Sequence, residues 1–170
     1  MREDFQHVIL ESNKLAFAGR TDDALGFVVQ SLGNAQEKLT ANPKQFLFLF
    51  HHCLRIQSTD PKHSDSAKHL QILKFGASIP GIAPLLEFAD DYYCGRITAN
   101  EATSHQFAPE HRFETYAFYQ QILGECHQKG GQYFKAIQCF ELAIELDPYW
   151  YPAYLNLSDC NLKLGLQKKE

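Results

Sequence analysis

The chain has 170 residues, 45% of them hydrophobic and 21% charged, with a net charge of −4. That length supports one domain with a real core, and that apolar content excludes a disordered chain. The slightly acidic balance, with a pI near 6.0, excludes the basic footprint of a nucleic-acid binder.

The N-terminal MREDFQHVILESNK lacks the apolar core of an export signal. No segment approaches the ~20 apolar residues of a membrane span. Cys53, Cys94, Cys126, Cys139 and Cys160 form no CxxC pair. An odd count without an export signal predicts reduced thiols and a cytoplasmic setting.

Residues 5–36 read as a helical hairpin. Leu15 and Ala18 close a first helix, and Gly19 marks the turn. Asp22 and Asp23 favour the start of a second helix through its dipole. Ala24, Leu25, Val28 and Leu32 then recur at helical spacing.

Residues 40–109 carry no repeat signal. Pro43 suits the first turn of a helix. The following QFLFLFHHCLRIQ is apolar on all sides, which predicts a central buried helix, although FLFLF alone also fits a strand. STDPKHSDS is a loop by composition, and SAKHLQILKFG a short helix. Ile82, Leu85, Leu86, Ala89, Tyr92, Tyr93 and Ile97 step by threes and fours, as a further helix would. Asn100 to Pro109 reads as a polar connection with room for one helical turn. A helical pattern beginning near Pro109 predicts a long helix leading into the next segment.

From Ala117 to Trp150 the chain reads AFYQQILGECHQKGGQYFKAIQCFELAIELDPYW. Phe113, Tyr116, Ala117, Gln120, Leu123, Gly124 and His127 share one helical face. Gly130-Gly131 ends that helix. Tyr133, Ala136, Ile137, Phe140, Ala143 and Ile144 form the stripe of a second helix, and Asp147-Pro148 stops it. YPAYLNLSDCNLKLG from Tyr151 begins the same pattern again, with Gly165 answering Gly131. This resembles the tetratricopeptide repeat, a helical hairpin of about 34 residues. The resemblance is clear over 117–165 and weak over 5–36, where a degenerate repeat and a plain hairpin read alike.

The resemblance implies an all-α fold of about seven to nine helices. Antiparallel pairs would stack as a repeat-type solenoid, with an irregular segment at 40–109. The whole of 1–170 reads as one helical domain. Within it, 151–170 supplies the first helix of a further repeat or a capping helix. The family binds other proteins in a concave groove lined by first-helix residues. By alignment these are Phe118, Gln121, Glu125 and Gln128, then Leu155, Asp159 and Leu162, with Tyr154 beside them. One branch of the family grips acidic tails through lysines and asparagines. Here Gln121 and Glu125, then Leu155 and Asp159, stand at those places. Two carboxylates would repel an acidic tail, so the expected ligand is a neutral or basic peptide or helix with an apolar anchor. Self-assembly through the last helix is an alternative, as is a small chaperone for secreted proteins.

Catalysis finds little support in the residues. His51, His52 and Cys53 are adjacent, so they diverge on a helix. His63 and His69 have no metal-ligand framework around them, and no metal or cofactor is expected. Asp90-Asp91 reads as a solvated pair rather than paired catalytic acids. No coherent acid, base and nucleophile set occupies 40–109, so an enzyme is not expected. Tyr149-Trp150-Tyr151 suits either an exposed aromatic anchor or packing at the joint between repeats.

Overall fold

The computed structural model of the protein describes residues 3–35, 39, 41–58 and 67–167. The described residues form nine α-helices and one 3-10 turn, with no strand among them. The fold class is therefore all-α, built from adjacent helices packed in pairs, as the sequence led one to expect. The chain divides into two compact units, one up to Cys94 and one from Gly95.

In the first unit, α1 (Glu3–Phe17) and α2 (Thr21–Asn34) make a hairpin. Gly19 turns the chain at φ +73°, a left-handed conformation that costs glycine nothing. Its N–H donates to Ala16 O at 2.9 Å, and Arg20 N–H donates to Leu15 O at 2.9 Å. Asp22 and Asp23 lie in the first turn of α2, and Ala24, Leu25, Val28 and Leu32 form its buried stripe.

The helix α3 (Pro43–Ser58) is the centre of this unit. It packs on α1, on α2, on α4 (Ala67–Ala77) and on α5 (Ala83–Tyr93). Such surroundings explain why it is apolar all round: Phe46, Leu47, Phe50, Cys53 and Leu54 are buried. FLFLF is helical here, as the length of the apolar run favours. Gly76 lets α4 approach closely, since a Cβ there would sit 2.4 Å from Leu86 Cδ1 and 2.5 Å from Phe46 Cε1. Ser58 closes α3, and the rest of the expected loop, 59–66, lies outside the described residues. α5 is shorter than its apolar pattern suggested. It stops at Tyr93, because Gly95 takes φ +72°, and Ile97 lies beyond it.

The second unit opens with α6 (Ala99–Ser104), a short helix within the polar connection where room for one helical turn was expected. Its start is a capping box. Glu101 N–H donates to Thr98 Oγ1 at 3.2 Å, and Thr98 N–H donates to Glu101 Oε2 at 2.7 Å. The path onward is padded by rings: Phe107 packs edge-on against His105, Phe113 and Tyr119. The long helix expected from Pro109 does not form. A single 3-10 turn, Phe113–Thr115, is followed by extended backbone at Tyr116. Three helices then stack: α7 (Ala117–Lys129), α8 (Tyr133–Leu146) and α9 (Tyr151–Gln167). α8 packs on both others, and α7 also touches α9. The last residues, 168–170, lie outside the described residues.

Candidate functional site

The hairpin of α7 and α8 is built around a glycine and a phenylalanine. Phe140 is fully buried, as are Ala136 and Ala143 on the same face of α8. Its ring lies so close to Gly124 that a Cβ there would be 2.4 Å from Cε1. The turn between them uses Gly131 at φ +70°. Gly131 N–H donates to Gln128 O at 3.1 Å and Gln132 N–H to His127 O at 2.8 Å. At the other end of α8, Asp147 and Pro148 form a tight turn. Asp147 Oδ1 accepts from Tyr149 N–H at 3.1 Å, and Asp147 O accepts from Trp150 N–H at 2.9 Å.

That turn separates the three aromatics. Trp150 is buried, with its ring centroid 6.0 Å from that of Phe118. It packs the joint between the hairpin and α9. Tyr149 remains 71% exposed.

Of the residues expected at the groove, Phe118, Gln121, Glu125, Tyr154, Leu155 and Asp159 fall into two groups. Phe118 and Gln121 are buried, so neither is open to a partner. Phe118 turns inward because Trp150 packs beside it. Gln121 instead supports Glu125, donating from Nε2 to Oε1 at 2.8 Å. The other four line accessible surface. Glu125 is half-buried, while Tyr154 and Leu155 are exposed. Tyr154 also has a structural bond, its hydroxyl donating to Pro148 O at 2.9 Å. Asp159 links the two helices: Gln128 Nε2 donates to its Oδ2 at 2.6 Å, and Lys163 Nζ lies 2.7 Å from the same oxygen. The Asp159 hydrogen bond pushes the Lys163 pKa up. Leu155, Asp159 and Leu162 share one face of α9, and both leucines are more than half exposed. The result is an apolar strip interrupted by an ion pair.

The first unit holds two polar clusters that the sequence reading missed. Ser12 and His52 meet in its core, with Oγ 2.8 Å from Nε2. Ser12 gives its own proton to Val8 O at 2.7 Å, so His52 donates to it through Nε2–H. The serine is thus a buried acceptor and not an activated nucleophile. Burial, with a smaller contribution from charge on the neighbouring side chains of α3, lowers the His52 pKa to about 4. Burial alone pushes the Cys53 thiol up to about 12, which removes it as a nucleophile at neutral pH. The second cluster brings His69, Asp90 and Cys94 together, although 21 residues separate the first two in sequence. Asp90 is buried here and bonded to His69, not solvated as its pairing with Asp91 suggested. Only the one-turn step from Asp90 to Cys94 was visible in sequence.

The tetratricopeptide-repeat family model matches residues 117–150. No curated protein and no solved structure matches the chain. The glycine under Phe140, the turn at Gly131 and the Asp147-Pro148 stop all fall within the matched residues, and 117–150 is a tetratricopeptide repeat.

Proposed function

We propose that the repeat binds a peptide or helix of a partner protein along the face shared by α7 and α9. The carrying observation is the exposed pair Leu155 and Leu162 flanking Asp159. Two leucines two turns apart on one helix face can anchor an apolar side chain, and a few such anchors give most of the affinity at an interface. Gln128 and Gln121 hold the two carboxylates in place beforehand, which lowers the ordering cost of binding. Glu125 and Asp159 make this face unsuited to an acidic tail. Lys163 offsets Asp159, so the ligand that fits is neutral to mildly basic, with an apolar anchor.

The test is parallel capture by three folded proteins: the unmodified chain, Leu155→Asp/Leu162→Asp, and Phe134→Asp. Phe134 is 67% exposed on α8 and serves as the control. A partner retained by Phe134→Asp and lost by the double variant supports the reading. Equal capture by all three removes it. The same two leucines favour a second reading, assembly of the chain through α9. Light scattering over a wide concentration range decides that, because a strict monomer at high concentration excludes it.

A further inference from the structure

We propose that His69, Asp90 and Cys94 form a binding site for a zinc-class divalent metal ion. Among the described residues, these three side chains place a ring nitrogen, a carboxylate oxygen and a thiol sulfur all within 4.8 Å of one another. His69 stands on α4. Asp90 stands on α5 and Cys94 one turn later at its C-cap, so the two acid groups share a helix face. His69 and Asp90 are buried, whereas Cys94 is half-buried. An ion would therefore reach the site from the Cys94 side.

The distances suit such an ion. Cys94 Sγ lies 3.4 Å from Asp90 Oδ1. A tetrahedral zinc with ordinary Zn–S and Zn–O bonds sets that edge at about 3.5 Å. His69 Nε2 lies 2.6 Å from the same oxygen, a hydrogen-bond length. Zinc would open that edge to about 3.3 Å, a small rotation of either side chain. On binding, the His69 Nε2 proton moves to Nδ1 or to solvent, and the Cys94 thiol releases its proton to solvent, leaving a thiolate ligand. The donor set selects the metal class. Calcium and magnesium take oxygen ligands, whereas imidazole and thiolate together favour zinc or cobalt. Three protein ligands leave a fourth position for water. The ion would tie α4 to α5 within the first unit, independently of the repeat.

The experiment is a Co2+ titration of the reduced, full-length chain, followed by absorbance. The expected result is saturation at one equivalent, with a thiolate-to-cobalt charge-transfer band and the visible bands of a tetrahedral site. Zn2+ should then bleach the spectrum stoichiometrically. Cys94→Ser should abolish the charge-transfer band. His69→Gln and Asp90→Asn should each weaken Co2+ binding by more than about tenfold, the loss known for even outer-shell partners. Cys139→Ser, in the other unit, should change nothing. Circular dichroism establishes that each variant is folded. The absence of a saturable spectrum in the unmodified chain would overturn the proposal, whatever the variants do. So would a charge-transfer band that survives Cys94→Ser, and the triad would then be a buried polar tie between two helices.

Discussion

Replacing Gly124 with alanine tests the packing of the repeat most directly. The added Cβ would lie 2.4, 2.7 and 2.8 Å from three ring atoms of Phe140. Carbon atoms in contact prefer about 3.5–4.0 Å, so the ring must move by about 1 Å. It has nowhere to go, because Phe140 is fully buried between Ala136 and Ala143, themselves fully buried. Overpacking of this kind costs about 1–3 kcal/mol. Alanine recovers about 1 kcal/mol through its better helix propensity. The net expectation is a loss of up to about 2 kcal/mol. Gly165 gives the opposite sign in the same unit, since nothing lies within 4 Å of its Cβ position. Gly165→Ala should therefore stabilise, by about 0.5 kcal/mol given its place in the last turn. Trp150 is the sole tryptophan and is buried in this unit, so urea unfolding followed by its fluorescence reads the relevant transition. Phe140→Leu shrinks the obstacle. In the double variant the cost of Gly124→Ala should fall by about 1 kcal/mol, a coupling expected of touching residues. A stabilising Gly124→Ala, or full additivity with Phe140→Leu, would refute the reasoning.

The other expectations concern turns, caps and protons. His52 is neutral when folded, with its pKa lowered from 6.5 to about 4. Above pH 6.5 neither state binds the proton, and the full stability is present. Below that, the unfolded chain takes the proton first, so stability falls by about 1.4 kcal/mol per pH unit until the folded pKa is reached. His52→Gln, which can still donate to Ser12, should flatten this slope by one proton in acid titration of the first unit, and an unchanged slope would count against the assignment. Gly19→Ala and Gly131→Ala should cost similar amounts, about 1–2 kcal/mol each, because both glycines hold a left-handed turn of the same form. Clearly unequal losses in denaturant would show that the turns differ in energy. Thr98→Ala removes half of the capping box and should cost about 1 kcal/mol locally, visible as faster amide exchange over 99–104.

Much of the second unit was legible because its signals are local. Gly124, Gly131, Ala136, Phe140 and Asp147-Pro148 act within one hairpin, and their order along the chain is their order in space. The central burial of α3 was legible for a similar reason, since a helix apolar on every side has only one place to go. What was not legible depends on distant partners. Phe118 looked like a groove residue by repeat position, but Trp150 draws it inward, and no spacing rule announces that. His69 showed no ligand framework and Asp90 read as half of a solvated pair, yet the packing of α4 on α5 brings them into contact. The capping box at Thr98 and Glu101 was present as a pattern. It went unread because the surrounding composition looked like a loop.

The two hairpins show how one turn can serve two cores. Gly130 N–H donates to Cys126 O, Gly131 N–H to Gln128 O, and Gln132 N–H to His127 O. Ala18, Gly19 and Arg20 make the same three bonds, to Lys14, Ala16 and Leu15. The backbone of α1 and α2 thus turns as the repeat does, although the family model matches only 117–150. The difference lies in the side chains at equivalent offsets from the turn glycine. Where the repeat has Gly124 and Phe140, the first hairpin has Ser12 and Val28. The position of the glycine is taken by a larger residue and that of the ring by a smaller one. The serine introduces a hydroxyl, and a buried hydroxyl must be satisfied. Val8 O and His52 of α3 satisfy it. At these two positions the repeat packs apolar atoms alone, whereas the first hairpin is bonded to a neighbouring helix. The serine that sets this hairpin apart from the repeat also fastens it to α3, while the turn itself rests on local backbone bonds and a glycine at φ +73°.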